Sequence, residues 1–370
     1  MADNMEHDYY MKEALRLAVK GKGRTSPNPM VGAVIVKNNK IIGKGYHKKA
    51  GFPHAEIEAI RDAGEKAKGS RLYVNLEPCS HYGRTPPCSE AIIKSGIKDV
   101  IIGMKDPNPL VAGKGIRKLK KAGINIVHGI MGKECRAINE PYIKYIAKKL
   151  PYVTLKVAGS LDGKISTKTG ESRWITGDQA RNYVHKIRDE VDAVMVGINT
   201  VLRDDPMLTT RLKKKDLRHP VRIILDSRLK IPLTAKSVQL KNGQKTIVAT
   251  TAKASLRKKK ILEKMGVGVL LIKEKESKVD MMDLMKKLGK MEISNIMIEG
   301  GAEVNASALQ SGIVDKVIFF IAPIIIGGAN ATSSIMGNGI SLLKDAVSIK
   351  EAKIKKLGRD FMLEGYIQRY

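Results

Sequence analysis

The chain has 370 residues, 43% hydrophobic and 28% charged. That length and balance fit two globular domains and exclude a low-complexity chain. The formal net charge is +30, but aromatic residues make up only 4%, too few to stack the bases of a single-stranded nucleic acid; the lysines are spread along both halves as solvated faces, and their field would gather small phosphorylated substrates. The longest apolar run, VIFFIAPIIIGG, is interrupted by Pro323 and falls short of the roughly 20 residues of a membrane span.

The start, MADNMEHDYY, does not read as a secretory signal, so a cytoplasmic protein is expected, with neither a membrane nor a nucleic acid as partner. The first elements expected are a β-hairpin over 31–36 and 40–47, with Lys37, Asn38 and Asn39 in the turn. A helix over 54–67 follows, then a strand over 71–78 and a short helix over 89–96. A strand over 99–106, a helix over 113–123 and a strand over 124–130 complete a mixed sheet with helices on its faces. A further helix runs into the basic residues before Pro151, where a new strand begins. The domain boundary is therefore expected at about residue 148, giving domains 1–148 and 149–370. The second domain alternates again. Strands are expected over 191–197, 221–225, 245–250, 268–272, 295–298 and 316–323, and helices over 177–189, 253–265, 279–289 and 302–311.

Three cysteines are too few for a disulfide scaffold. His54, Cys79 and Cys88 instead form a candidate zinc set, since zinc takes imidazole and thiolate and a catalytic zinc keeps one position open for water. His54 opens one predicted helix and Cys88 immediately precedes another, where helix N-termini favour thiolate. Glu56, two residues from His54, is placed to move a proton without being a ligand. H-x-E followed by P-C-x-x-C is the signature of zinc nucleobase deaminases, but here eight residues separate Cys79 from Cys88. The bland alternative is an exposed histidine and two unrelated buried thiols; the prolines before each cysteine and the nearby glutamate argue against it. Cys135 reads as an ordinary thiol on a helix. In the second domain, IEGGAEVNASAL is a strand, a glycine pair and a helix, a geometry that can seat a diphosphate or simply make a tight turn. LDSR closes a strand, with Ser227 either a ribose or phosphate contact or a turn residue.

The stretches NPMVGAVIV, GYHKKAGFPHAEIEAI, LEPCSHYGRTPPC and DPNPLVAGKGI resemble the deaminase half of the bifunctional deaminase–reductase family of riboflavin biosynthesis, which uses the longer cysteine gap. KVAGSLDGKIS, GESRWITG, VGINTVLRDDPMLTTR and IEGGAEV resemble its reductase half. The resemblance implies an N-terminal cytidine-deaminase-like α/β/α domain and a C-terminal dihydrofolate-reductase-like α/β domain. It implies deamination of 2,5-diamino-6-ribosylaminopyrimidinone 5′-phosphate with one zinc per chain, then reduction of the ribosyl group by NADPH. His54, Cys79 and Cys88 would be the ligands and Glu56 the proton shuttle, with Asn28, His47 and Arg84 at the substrate. Ala158, Trp174, Thr200, Asp204, Ser227 and Gly301 would meet NADPH, with Asp205 a rival to Asp204. Lys156, Ser172, Arg188, Leu208, Arg211 and Glu299 would surround the second substrate, Arg188 and Arg211 as phosphate partners. A homo-oligomer, dimer or tetramer, is expected. The alternative from another class is a tRNA-adenosine type of zinc deaminase with an appended binding domain.

Overall fold

The computed structural model describes residues 2–82, 86–109, 111–240 and 243–368. It divides into two compact units, Met1–Lys149 and Leu150–Tyr370.

The first unit opens with α1 (Ala2–Ala18), before the first element read from the sequence. Its apolar residues Tyr10, Met11, Ala14, Leu15 and Ala18 recur one turn apart and are all buried. The hairpin of β1 (Gly32–Lys37) and β2 (Lys40–Tyr46) follows, turning through Asn38 and Asn39, both left-handed. Next come α2 (Ala55–Ala63), β3 (Arg71–Leu76), α3 (Cys88–Lys94), β4 (Asp99–Met104), α4 (Lys114–Lys121), β5 (Asn125–His128), α5 (Gly132–Ile138) and α6 (Glu140–Lys148). The expected helix over 54–67 is cut at Gly64, where φ turns to +55°, and continues as a 3-10 turn. The sheet order is β2-β1-β3-β4-β5, antiparallel up to β3 and parallel from β3 to β5. Helix α2 lies directly on β2: a Cβ at Gly45 would collide with the carbonyl oxygen of Ala55. The start of α2, which carries His54 and Glu56, is thereby pressed to the sheet.

The second unit is built on β6 (Tyr152–Ser160), α7 (Asp178–Glu190), β7 (Ala193–Gly197), α8 (Ile198–Asp204), β8 (Val221–Leu225), α9 (Lys236–Gln239), β9 (Thr246–Thr250), α10 (Leu256–Lys264) and β10 (Gly268–Leu271). After a small ribbon of β11 (Glu274–Lys275) and β12 (Lys278–Val279) come α11 (Met281–Lys290), β13 (Asn295–Ile298), α12 (Ala302–Gln310), β14 (Lys316–Ala322) and the hairpin of β15 (Ile349–Leu357) with β16 (Asp360–Ile367). The nine-stranded sheet runs β10-β9-β8-β7-β13-β6-β14-β16-β15, parallel from β10 to β14 and antiparallel beyond. Its central strands are fully buried runs such as AVMVG and TIVAT, as expected where helices cover both faces of a parallel sheet. The C-terminal hairpin and α8 lie outside the elements expected from the sequence. Among the described residues no helix is long and apolar enough to cross a membrane.

Candidate active sites

The first site forms where α2 and α3 begin. His54 is the N-cap of α2, with an extended backbone and no side-chain hydrogen bond to the helix. Cys79 lies in the loop after β3, and Cys88 is the first residue of α3. His54 Nδ1 is 3.2 Å from Cys88 Sγ and 3.7 Å from Cys79 Sγ. One donor atom from each residue lies within 4.8 Å of the others; among the described residues this is the one cluster of histidine, cysteine or acid able to hold a metal. The backbone N–H of Cys88 donates to Cys79 Sγ at 3.3 Å. Hydrogen bonding from Cys88, with His54 beside it, holds the Cys79 thiol well below the usual range. One nitrogen and two sulfurs converging on one point fit a zinc ion, with three ligands filled and a fourth position free for water.

Glu56 is 3% exposed, on the first turn of α2. Burial pushes its carboxyl up to about 7, against the pull of His54. Asn28 Nδ2 and His47 Nε2 are 3.2 Å apart, and His47 Nδ1 is 3.2 Å from the Pro53 carbonyl oxygen. The His47 ring stands edge-on to His54 with centroids 5.4 Å apart. Burial, partly offset by the Pro53 contact, lowers the His47 pKa, so its imidazole is neutral at neutral pH. The structure thus brings Asn28, His47, His54, Glu56, Cys79 and Cys88 together. Arg84 lies outside the described residues. Cys135 is buried 0% exposed, behind β4.

The second site is a cavity of about 860 Å³ at the carboxyl ends of the parallel strands, where ligands bind open α/β sheets. Lys156 and Ala158 reach it from β6, Ser172 and Trp174 from the loop beyond, and Arg188 from α7. Thr200 and Asp204 come from α8, Arg211 and Ser227 from loops, and Glu299 and Gly301 from the turn between β13 and α12. Trp174 is 61% exposed, not a core residue, with the Arg181 guanidinium 4.5 Å from its ring centre. Asp204 lines the cavity, whereas Asp205 accepts the Lys236 backbone N–H and pairs with the Lys236 ammonium. Leu208 is not at the wall; it is buried in the apolar core, with its backbone in the left-handed region.

At the floor Glu299 accepts two hydrogen bonds from Arg188, from Nε and from Nη2, the latter at 2.7 Å. Arg188 Nη1 donates to the Thr209 carbonyl, so its guanidinium is occupied. This differs from the expectation of Arg188 as a phosphate partner: the nearby carboxylate claims the fork first. Lys156 Nζ is 3.6 Å from Glu299. Burial alone would raise the Glu299 carboxyl, but the Arg188 and Lys156 charges outweigh it and hold it at about 2. His185, three residues before Arg188 on α7, also lines the cavity; its spacing from Arg188 was the available signal in the sequence.

Residues 4–104 match the family described as the cytidine and deoxycytidylate deaminase zinc-binding region, and residues 151–363 match the RibD C-terminal domain. The riboflavin biosynthesis protein RibD of Actinobacillus pleuropneumoniae is 46% identical over 355 residues, 96% of this chain and 94% of that protein. Acinetobacter baumannii RibD is 39% identical and superposes with a TM-score of 0.89, covering 99% of this chain and 100% of that one. The Thermotoga maritima diaminohydroxyphosphoribosylaminopyrimidine deaminase/5-amino-6-(5-phosphoribosylamino)uracil reductase is 35% identical with a TM-score of 0.86, again over 99% and 100%. These matches run through both halves, which leaves the tRNA-type deaminase reading without support. With a zinc-binding deaminase region and a reductase domain in one chain, the protein belongs to the RibD family of bifunctional riboflavin-biosynthesis enzymes, which use zinc and NADPH.

Proposed function

We propose that His54, Cys79, Cys88 and Glu56 carry the family's deamination and that the cavity of the second unit carries its reduction. The observation that most supports this is a buried acid, Glu56, two residues from a ligand set whose donor atoms lie within 4.8 Å of one another. Zinc supplies the Lewis acidity that makes water a nucleophile near neutral pH. Glu56 takes a proton from the attacking water and passes it to the departing amine, so that ammonia leaves and the ring gains a carbonyl. Its raised pKa suits a group that must both accept and return a proton. Asn28 and His47, already hydrogen-bonded to each other, offer an amide and a neutral imidazole to the pyrimidine edge. Arg84 serves the substrate phosphate.

In the second unit NADPH supplies the hydride that reduces the sugar's first carbon. Gly301 and the open N-terminus of α12 seat its diphosphate, with Ala158, Trp174, Thr200, Asp204 and Ser227 along the rest of the cofactor. Lys156, held against Glu299, faces the sugar where the ribosylamine opens, and Ser172 and Arg211 hold the substrate's polar groups. Arg188 orients Glu299. We read the enzyme as a cytoplasmic homo-oligomer, dimer or tetramer; the outward apolar side chains of Ile349, Ile354 and Phe361 support association, and sedimentation at equilibrium tests it. The functional test follows NADPH absorbance after the zinc-loaded enzyme receives only the diamino pyrimidine phosphate. Consumption lost in Glu56→Gln and regained on adding the deaminated intermediate is the expected result. No consumption with either compound overturns the reductase assignment.

A further inference from the structure

Besides Arg181 and Arg188, helix α7 presents a third polar side chain to the reductase cavity, one turn before Arg188 and on the same face. His185 lines that cavity and is 9% exposed. Its Nδ1 is buried with no hydrogen-bond partner among the described residues, and Nε2 has no partner there either. Native proteins rarely leave a buried polar ring unmet without a reason. The charges acting on it are those of Arg188, Arg211, Glu299 and Lys156. Burial first, then Arg188 and Arg211, lower its pKa to about 4. The ring is therefore neutral at neutral pH, with one donor and one acceptor.

The neighbouring cations differ in what they have left to offer. Arg188 is engaged by Glu299 and Thr209, and Lys156 by Glu299. Arg211 makes no ion pair or hydrogen bond among the described residues and lines the same cavity. An orphaned N–H is costlier than an orphaned lone pair, so the ring hydrogen belongs on Nε2 and the lone pair on buried Nδ1. An uncommitted guanidinium and an imidazole N–H both offer only donors, and the group that takes only donors is an oxyanion. We propose that His185 is a substrate-contacting residue of the reduction, its Nε2–H and the Arg211 guanidinium together holding the phosphate of the ribosyl substrate. This rests on the reductase reading above.

Steady-state kinetics of the full-length, zinc-loaded enzyme test it, with the deaminated intermediate and its dephosphorylated counterpart as substrates. His185→Phe keeps the ring's bulk without the donor, and His185→Gln keeps a donor; His185→Leu replaces the Phe variant should that one not fold. A hydrogen bond to a charged group predicts that His185→Phe raises KM for the phosphorylated substrate by about tenfold or more. KM for NADPH and the deaminase rate stay unchanged, His185→Gln recovers most of the loss, and with the dephosphorylated compound wild type and variant coincide. Equal KM values for wild type and His185→Phe on the phosphorylated substrate would overturn the contact, and so would a loss that persists without the phosphate. A parallel rise in KM for NADPH would reduce His185 to a structural role and overturn it too. A wild type that oxidises no NADPH with the intermediate would instead sink the reductase reading itself, a result distinct from a turning-over wild type that its variant matches.

Discussion

Glu56 and the three donors around it were legible because their chemistry is local: two short stretches supply four groups, and a proline precedes each cysteine. Glu56→Gln keeps the size and removes the proton carrier. It is expected to slow deamination by about 10²–10⁴-fold while zinc content and turnover of the deaminated intermediate stay at wild-type levels, read by metal analysis and NADPH oxidation. Glu299 and Arg188 were both named through the family resemblance, but their pairing was not: 111 residues separate them, and only the fold brings them together. His185 was missed although its spacing from Arg188 was local, because the cavity that both line is assembled from distant stretches. Glu299 is held at about 2 in the fold, below the ordinary 4.5. A depressed carboxylate stabilises fully above its unfolded value, and that contribution disappears as pH falls from about 4.5 towards 2. Glu299→Gln leaves Arg188 and Lys156 buried without their counter-charge, so it should cost about 3–5 kcal/mol at neutral pH. Denaturant unfolding from pH 7 to 2 checks both effects: the variant starts lower and its stability declines less between pH 4.5 and 2.

At the scale of elements, the alternating strands and helices were readable wherever a buried face imposed a period. Helix α1 has such a face in Tyr10, Met11, Ala14, Leu15 and Ala18, yet its polar first residues mask it. Strand β15 escapes for the opposite reason. Its residues from Ile349 to Lys356 are all exposed, so no burial pattern is written into SIKEAKIKK; its lysines guard a sheet edge. Caps and close contacts are similarly local or hidden. Asp280 accepts the N–H groups of Met282 and Asp283 at the start of α11, and Asp280→Ala should lower the unfolding free energy by about 1 kcal/mol without touching either activity. Gly45 is different, because the pressure on it comes from another element. Gly45→Val must push α2 off β2, an overpacking cost of about 1–3 kcal/mol. Since α2 carries His54 and Glu56, zinc affinity should fall with stability, whereas the Asp280 variant keeps its zinc; a competitive chelator titration separates the two.

Across the whole molecule, the excess of 67 Lys and Arg over 37 Asp and Glu shapes encounter with anionic substrates more than it shapes the fold. Turnover at low substrate concentration is expected to drop by about an order of magnitude between low and high salt, as screening shortens the reach of the field. A neutral, dephosphorylated substrate should show little of that dependence.

The placement of sulfur has a consequence for how the enzyme would fail. Cys79, Cys88 and Cys135 all precede Lys149, and residues 150–370 contain no cysteine. An electrophile or oxidant that attacks thiolates therefore meets its target in the hydrolytic half alone. Damage of that kind stops the route at its entrance: the starting pyrimidine accumulates, and whatever deaminated product already exists can still be drawn forward. The enzyme would be poisoned as a closed valve, with nothing stranded midway.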